Sequence, residues 1–174
     1  EIIYDLGQVQ FSLKHWPESV AAFDAYLAAY GTQDAAVTAA YQRFLALTQI
    51  DREKTATEAG AYLKAWPQSP YRARVQLLEA QELSREKKFT DALPLWELLA
   101  TEKDASLPHR DILLSLARTY DQLDNFPKAA TAYQAYLDDL AAQPPLAGRT
   151  GANERQKQTL QVQARLAVCL QKSN

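Results

Sequence analysis

The chain has no methionine, one cysteine, five glycines and two histidines in 174 residues. A single cysteine, Cys169, excludes an internal disulfide and any metal site built from several cysteines. On the last helix it reads as a small buried hydrophobe, with only Lys172 near enough to activate a thiol. His15 and His109 have no second ligand at metal spacing and no serine or cysteine nucleophile beside them, so both are read as turn residues. No catalytic residue, metal or cofactor is expected. There is no Lys/Arg block and the net charge is −2, so the electrostatic footprint of a nucleic-acid binder is missing. No apolar run approaches the roughly 20 residues of a membrane helix, so no membrane insertion is expected of this piece. Glu1 leads straight into a helical pattern (Ile2, Ile3, Leu6), which suggests an excised or processed piece whose targeting signal or lipid anchor stood upstream.

What remains is rich in alanine and leucine and poor in β-branched residues, a composition that favours helix. Apolar residues recur at helical spacing, as in Leu113, Leu116, Ala117 and Tyr120, or Val20, Phe23, Leu27 and Tyr30. The class expected is all-α. The polar run "DQLDN" (121–125) lacks the alternating acids, glycine and closing glutamate of a calcium loop and reads as a capped turn.

The chain also repeats itself. Ala-Tyr-Leu occurs at 25–27, 61–63 and 135–137, each time closing a helix that follows a polar turn: "KHWPESVAAFDAYL", "REKTATEAGAYL" and "DNFPKAATAYQAYL". "KKFTDALPLWELLA" carries the pattern without the tripeptide. These segments resemble the second helix of tetratricopeptide repeats, which sets a small residue four before an aromatic. The pairs here are Ser19 with Phe23, Glu58 with Tyr62, Ala92 with Trp96, and Ala129 with Tyr133. Twelve residues upstream the family sets Leu followed by Gly or Ala, matched by Leu6-Gly7, Leu45-Ala46 and Leu116-Ala117, with Glu79-Ala80 matching in its second residue. Small residues let antiparallel helices approach, and the aromatic fills the hole beside them. Glu58 departs from the small-residue rule, so the second repeat fits least well.

The resemblance implies a right-handed α-solenoid: about four helix pairs over 1–143, a loop over 144–153 and a capping helix or fifth helix A over 154–174. It implies a non-catalytic scaffold that holds a protein or peptide partner in the groove lined by the A helices. In that register the groove positions are Tyr4, Gln8 and Phe11; Arg43 and Leu47; Arg74, Leu77, Gln81 and Arg85; Leu114, Arg118 and Gln122; and Arg165. Five arginines in this row suit an acidic or carboxylate-bearing peptide. Plain solvated helix positions are the competing reading of the same row. The family's chaperone-tail clamp uses Lys and Asn, where this chain has Tyr4, Gln8, Arg43 and Leu47, so that partner is not implied.

"WPQSPYRA" (66–73) resembles the Tyr-Pro-x-Ser-x-Tyr turn of tetratricopeptide proteins of the bacterial envelope, the periplasmic cell-division coordinator and the outer-membrane assembly lipoproteins. It implies a periplasmic or envelope setting, with the cytoplasm as the alternative. The stretch reads as a corner: Pro67 ends one helix, Ser69 caps the next with Pro70 at its first position, and Trp66 and Tyr71 staple the turn. An accessory array of a larger enzymatic or signalling protein is the second functional reading.

Overall fold

The computed structural model describes residues 2–142 and 149–173. The chain divides into two compact units, Glu1–Glu86 and Lys87–Asn174. The first holds α1 (Ile2–Ser12), α2 (Trp16–Tyr30), α3 (Ala36–Ile50), a 3-10 turn (Arg52–Lys54), α4 (Thr55–Ala65) and α5 (Arg72–Arg85). The second holds α6 (Phe89–Thr101), α7 (His109–Gln122), α8 (Phe126–Ala142) and α9 (Arg149–Lys172). Among the described residues there is no strand. Within each unit every helix packs on its successor along the chain.

Three of the turns share one device. Lys14, Lys87 and Asp124 adopt left-handed backbone, with φ of 61°, 60° and 56°, each two residues before the aromatic that opens the following helix: Trp16, Phe89 and Phe126. In the first and last of these the chain closes back on the helix it leaves. The N–H of His15 donates to the Gln10 carbonyl and that of Asn125 to the Tyr120 carbonyl, both at 2.9 Å. This six-residue closure satisfies a carbonyl that the helix end would leave orphaned. A non-glycine residue pays roughly 1–2 kcal/mol for that backbone, which the helix packing on either side offsets.

The close approach of the paired helices is visible atom by atom in the first pair. Ser19 Oγ donates to the Gly7 carbonyl at 3.0 Å. A Cβ on Gly7 would sit 2.7 Å from the Phe23 ring, which has no exposed surface. The aromatic anchors Phe23, Tyr62, Trp96 and Tyr133 are all buried, as are Ala46, Ala80, Ala92, Ala117 and Ala129. α6 runs through Pro94, its sixth residue, whose exposed ring leaves the buried side of the helix undisturbed.

The second pair corrects the expected register. Ala59, not Glu58, is the fully buried small residue of α4, while Glu58 reaches out to Arg43. This pair enters α4 through the 3-10 turn Arg52–Lys54, where the other three A–B pairs use a left-handed residue. Two boundaries also move. The loop expected over 144–153 is helix from Arg149, because Gly151 costs a helix interior only about 1 kcal/mol; residues 144–148 lie outside the described residues. At the corner, α4 ends at Ala65 ahead of Pro67, as the proline dictates. α5, however, begins at Arg72 and not at Pro70. Ser69 Oγ accepts the Tyr71 N–H at 3.0 Å and bonds the Tyr62 hydroxyl at 2.6 Å, so this serine organises the turn before the helix starts.

Candidate interaction surface

The proposed groove residues belong to α1, α3, α5, α7 and α9, and their side chains meet different fates. On α1, Gln8 Nε2 donates to the Tyr4 hydroxyl at 3.1 Å, and both side chains are half-buried. Tyr4 also lies against Phe23 and Tyr26, with ring centroids 6.0 and 5.3 Å away. Burial, and then the nearby Tyr71, push the Tyr4 hydroxyl above its ordinary pKa. Phe11 is spent on packing: it meets Trp16 edge-on at 5.1 Å and joins the cluster of Phe23, Tyr26 and Ala39.

Tyr41 on α3 and Tyr71 at the start of α5 stack face to face, 4.2 Å apart and 2° from parallel. Thr38 Oγ1 and the Tyr71 hydroxyl hydrogen-bond at 3.1 Å, which fixes the outer ring. Burial raises the Tyr41 pKa, opposed by the charge of Arg74 and a hydrogen bond from it. Arg74 itself is exposed. Tyr4, Gln8, Tyr41, Tyr71 and Arg74 thus form a half-buried aromatic surface with phenol hydroxyls and one exposed guanidinium. Of these, the sequence reading singled out Tyr4, Gln8 and Arg74. It missed Tyr41 and gave Tyr71 to the corner. Trp66 does keep the corner role, packing against the core of Ala40, Phe44, Ala59, Tyr62 and Val75.

The remaining arginines divide between pairing and solvent. Arg43 turns to carboxylates on two other helices, Asp24 of α2 and Glu58 of α4. Arg85 holds Glu82, one turn away on α5, and Gln81 is exposed beside it. In the second unit Arg165 of α9 grips Asp121 of α7 in a two-point pair, Nε to Oδ2 at 2.8 Å and Nη2 to Oδ1 at 2.6 Å. Tyr133 of α8 donates to the same carboxylate at 3.2 Å, and Cys169 Sγ lies 3.8 Å from it, fully buried. Burial, then the Asp121 charge, push Tyr133 up to about 12. Burial also pushes the Cys169 thiol up, away from the reactive thiolate. Leu114 is buried in the second unit's core, whereas Arg118 and Gln122 are exposed on α7.

His15 and His109 are exposed at helix starts, and His15 Nδ1 lies 2.9 Å from Gln10 Oε1. Among the described residues no group of His, Cys, Asp and Glu could hold a metal ion, and no helix is long and apolar enough to cross a membrane.

Against this geometry the comparisons with known proteins are informative about architecture. The chain is similar to the solved structure of the MamA RS-1 ArsTM double mutant, with a TM-score of 0.65 at 15% identity, covering 99% of this chain and 93% of that one. The fold is of the tetratricopeptide type. No family model matches the chain, and no curated protein matches it in sequence. Within the chain, slot size is kept while residue identity varies: Ser19, Ala92 and Ala129 are alike small and buried, and Phe, Tyr and Trp serve alike as buried anchors.

Proposed function

We propose that the chain is a non-catalytic protein-interaction module, and that the surface formed by Tyr4, Gln8, Tyr41, Tyr71 and Arg74 is its partner-binding face in the first unit. The Tyr41–Tyr71 stack beside Arg74 carries the reading. Tyrosine and arginine dominate interface energetics because a rigid aromatic face loses little entropy on binding and a guanidinium forks onto carboxylates. A helical-repeat framework presents such a face on rigid elements and suits an extended peptide or a partner helix. The exposed Arg74 favours a partner segment bearing a carboxylate beside an apolar or aromatic residue.

The test is capture of partners from lysate of the source cells on the wild-type chain and on Arg74→Glu, with melting curves of both. The reading expects a protein retained by the wild type and lost from the variant at unchanged melting temperature. Equal retention by both would remove Arg74 and its tyrosines from the binding face. Arg118→Glu, tested separately, asks the same of the second unit. Arg85 is unsuited to this purpose, because its reversal would leave Glu82 facing a like charge. A bacterial envelope setting is supported by the "WPQSPYRA" turn; recovery of the protein in the cytosolic fraction of its source cells would reject it.

A further inference from the structure

On the tyrosine surface of the first unit, hydrogen-bond donors outnumber acceptors, and that imbalance describes a ligand. Tyr4 accepts from Gln8 Nε2 at 3.1 Å, which leaves the proton of its own hydroxyl unspent. Thr38 and Tyr71 share one hydrogen bond at 3.1 Å between two hydroxyls, so one proton of that pair is unspent as well. Arg74 supplies a hydrogen bond to Tyr41, whose hydroxyl proton is the third, and the guanidinium keeps further N–H groups after giving one. Against these donors stands the side-chain amide oxygen of Gln8, because the main-chain carbonyls of α1, α3 and α5 serve their own helices.

Shape narrows the ligand further. Tyr41 and Tyr71 stack 4.2 Å apart, and Tyr4, Tyr41 and Tyr71 are all half-buried, so each keeps part of its ring open to a partner. The matching ligand supplies carbonyl oxygens, few N–H groups and flat apolar faces. A partner helix has already spent its carbonyls, and a strand brings an N–H with every residue, for which this face has almost no acceptor. A proline-rich segment meets all three demands: proline has no N–H, its ring is flat and apolar, and polyproline II leaves every carbonyl outside any internal hydrogen bond. Spacing agrees. Polyproline II repeats every three residues, about 9 Å along its axis. α1 packs on α3, and packed helices stand about 8–10 Å apart. Two prolines three residues apart therefore reach Tyr4 on α1 and the Tyr41–Tyr71 stack beside α3.

We infer that the tyrosine surface is a receptor for a proline-rich segment in the polyproline II conformation, with one proline on Tyr4, the next but two on the Tyr41–Tyr71 stack, and an acidic residue beside them on Arg74. The inference rests on the reading of this surface as the partner-binding face and names the chemistry of the partner. The acid orients the segment on Arg74, while the prolines and their carbonyls are what the tyrosines recognise.

The experiment uses the whole chain, isotope-labelled for NMR, titrated with peptides blocked at both ends: Pro-Pro-Ala-Pro-Pro-Glu, the same prolines with Glu placed first, the glutamine counterpart of each, and Ala-Ala-Ala-Ala-Ala-Glu. At least one proline–glutamate peptide is expected to shift the ring signals of Tyr4, Tyr41 and Tyr71 in a saturable way, with its own proline protons moved upfield by the tyrosine rings. The alanine peptide should leave those signals unmoved, and the glutamine counterpart should bind several-fold more weakly. The double variant Tyr4→Phe with Tyr41→Phe keeps both rings and removes two donors, and should weaken binding at least tenfold at an unchanged melting temperature. Silence from both proline–glutamate peptides, equal shifts from the alanine peptide, equal affinity of the glutamine counterpart, or unchanged affinity in the double variant would each overturn the inference. The two readings fail separately: silent proline peptides beside a partner captured through Arg74 would remove the proline preference and keep the binding face.

Discussion

The contact between Gly7 and Phe23 can be weighed against helix propensity by replacing two glycines. Gly7→Ala in α1 gains roughly 1 kcal/mol because alanine loses less freedom on entering a helix. The new Cβ, however, meets three atoms of the Phe23 ring at 2.7, 2.9 and 3.0 Å, and the ring is wholly buried with Tyr4 and Tyr26 beside it. Overpacking of that kind costs about 1–3 kcal/mol, so the net effect runs from neutral to a loss of about 2 kcal/mol. Gly60→Ala in α4 is the control: nothing lies within 4 Å of its added Cβ, so only the gain of about 1 kcal/mol remains. Subtracting one from the other cancels propensity and leaves the overpacking cost alone. Both glycines lie in the unit Glu1–Glu86, so one unfolding transition reports both. The assay is urea unfolding followed by circular dichroism, comparing midpoints at a common slope. A Gly7→Ala protein stabilised as much as Gly60→Ala would refute the close α1–α2 approach and the repeat register built on it.

Two further outcomes test other parts of the fold. Trp96→Ala should cost about 3–5 kcal/mol in thermal or urea unfolding, because the indole is 1% exposed at the centre of α6; a midpoint unchanged within error would remove it as an anchor. Tyr120 and Tyr133 both have pKa values pushed up to about 12, chiefly by burial and then by Glu97 and Asp121 respectively. The folded chain therefore holds these protons above pH 10, where the unfolded chain releases them. Their stabilisation is full below pH 10 and is lost as pH climbs from 10 to 12, by up to about 1.4 kcal/mol per pH unit for each tyrosine. Tyr133→Phe should flatten that fall in unfolding curves taken between pH 9 and 12, and an identical slope would show that Tyr133 contributes none of it.

The parts of the fold legible in the sequence are those fixed by steric fit. A small residue where two helices touch and an aromatic beside it are constraints that few side chains meet, so Gly7, Ser19 and Phe23, or Ala117, Ala129 and Tyr133, announce themselves by size. The burial of Ala59 in place of Glu58 was not legible, because this pair enters α4 through a 3-10 turn where the others use a left-handed residue, and nothing in "DREK" marks which of the two forms. Arginines were the least legible. Arg43, Arg85 and Arg165 were assigned to a groove by position, but a long flexible side chain goes where its carboxylate stands. Asp24 is 19 residues from Arg43 and Asp121 is 44 from Arg165. Tyr41 was missed because its role depends on Tyr71, 30 positions away, and no local pattern joins them.

The grip of Arg165 on Asp121 has a consequence for how α9 finds its place. Apolar contacts tolerate sliding, since a helix shifted by one turn buries much the same area. Leu160 and Leu170 remain largely exposed, so α9 has little greasy surface to choose its position with. A near-buried carboxylate, by contrast, admits one partner at one height, because any other alignment strands a charge away from water. The pair works as an address more than as an adhesive. Natural drift can then vary the apolar residues of this helix widely, provided one acid on α7 and one guanidinium on α9 keep their appointment.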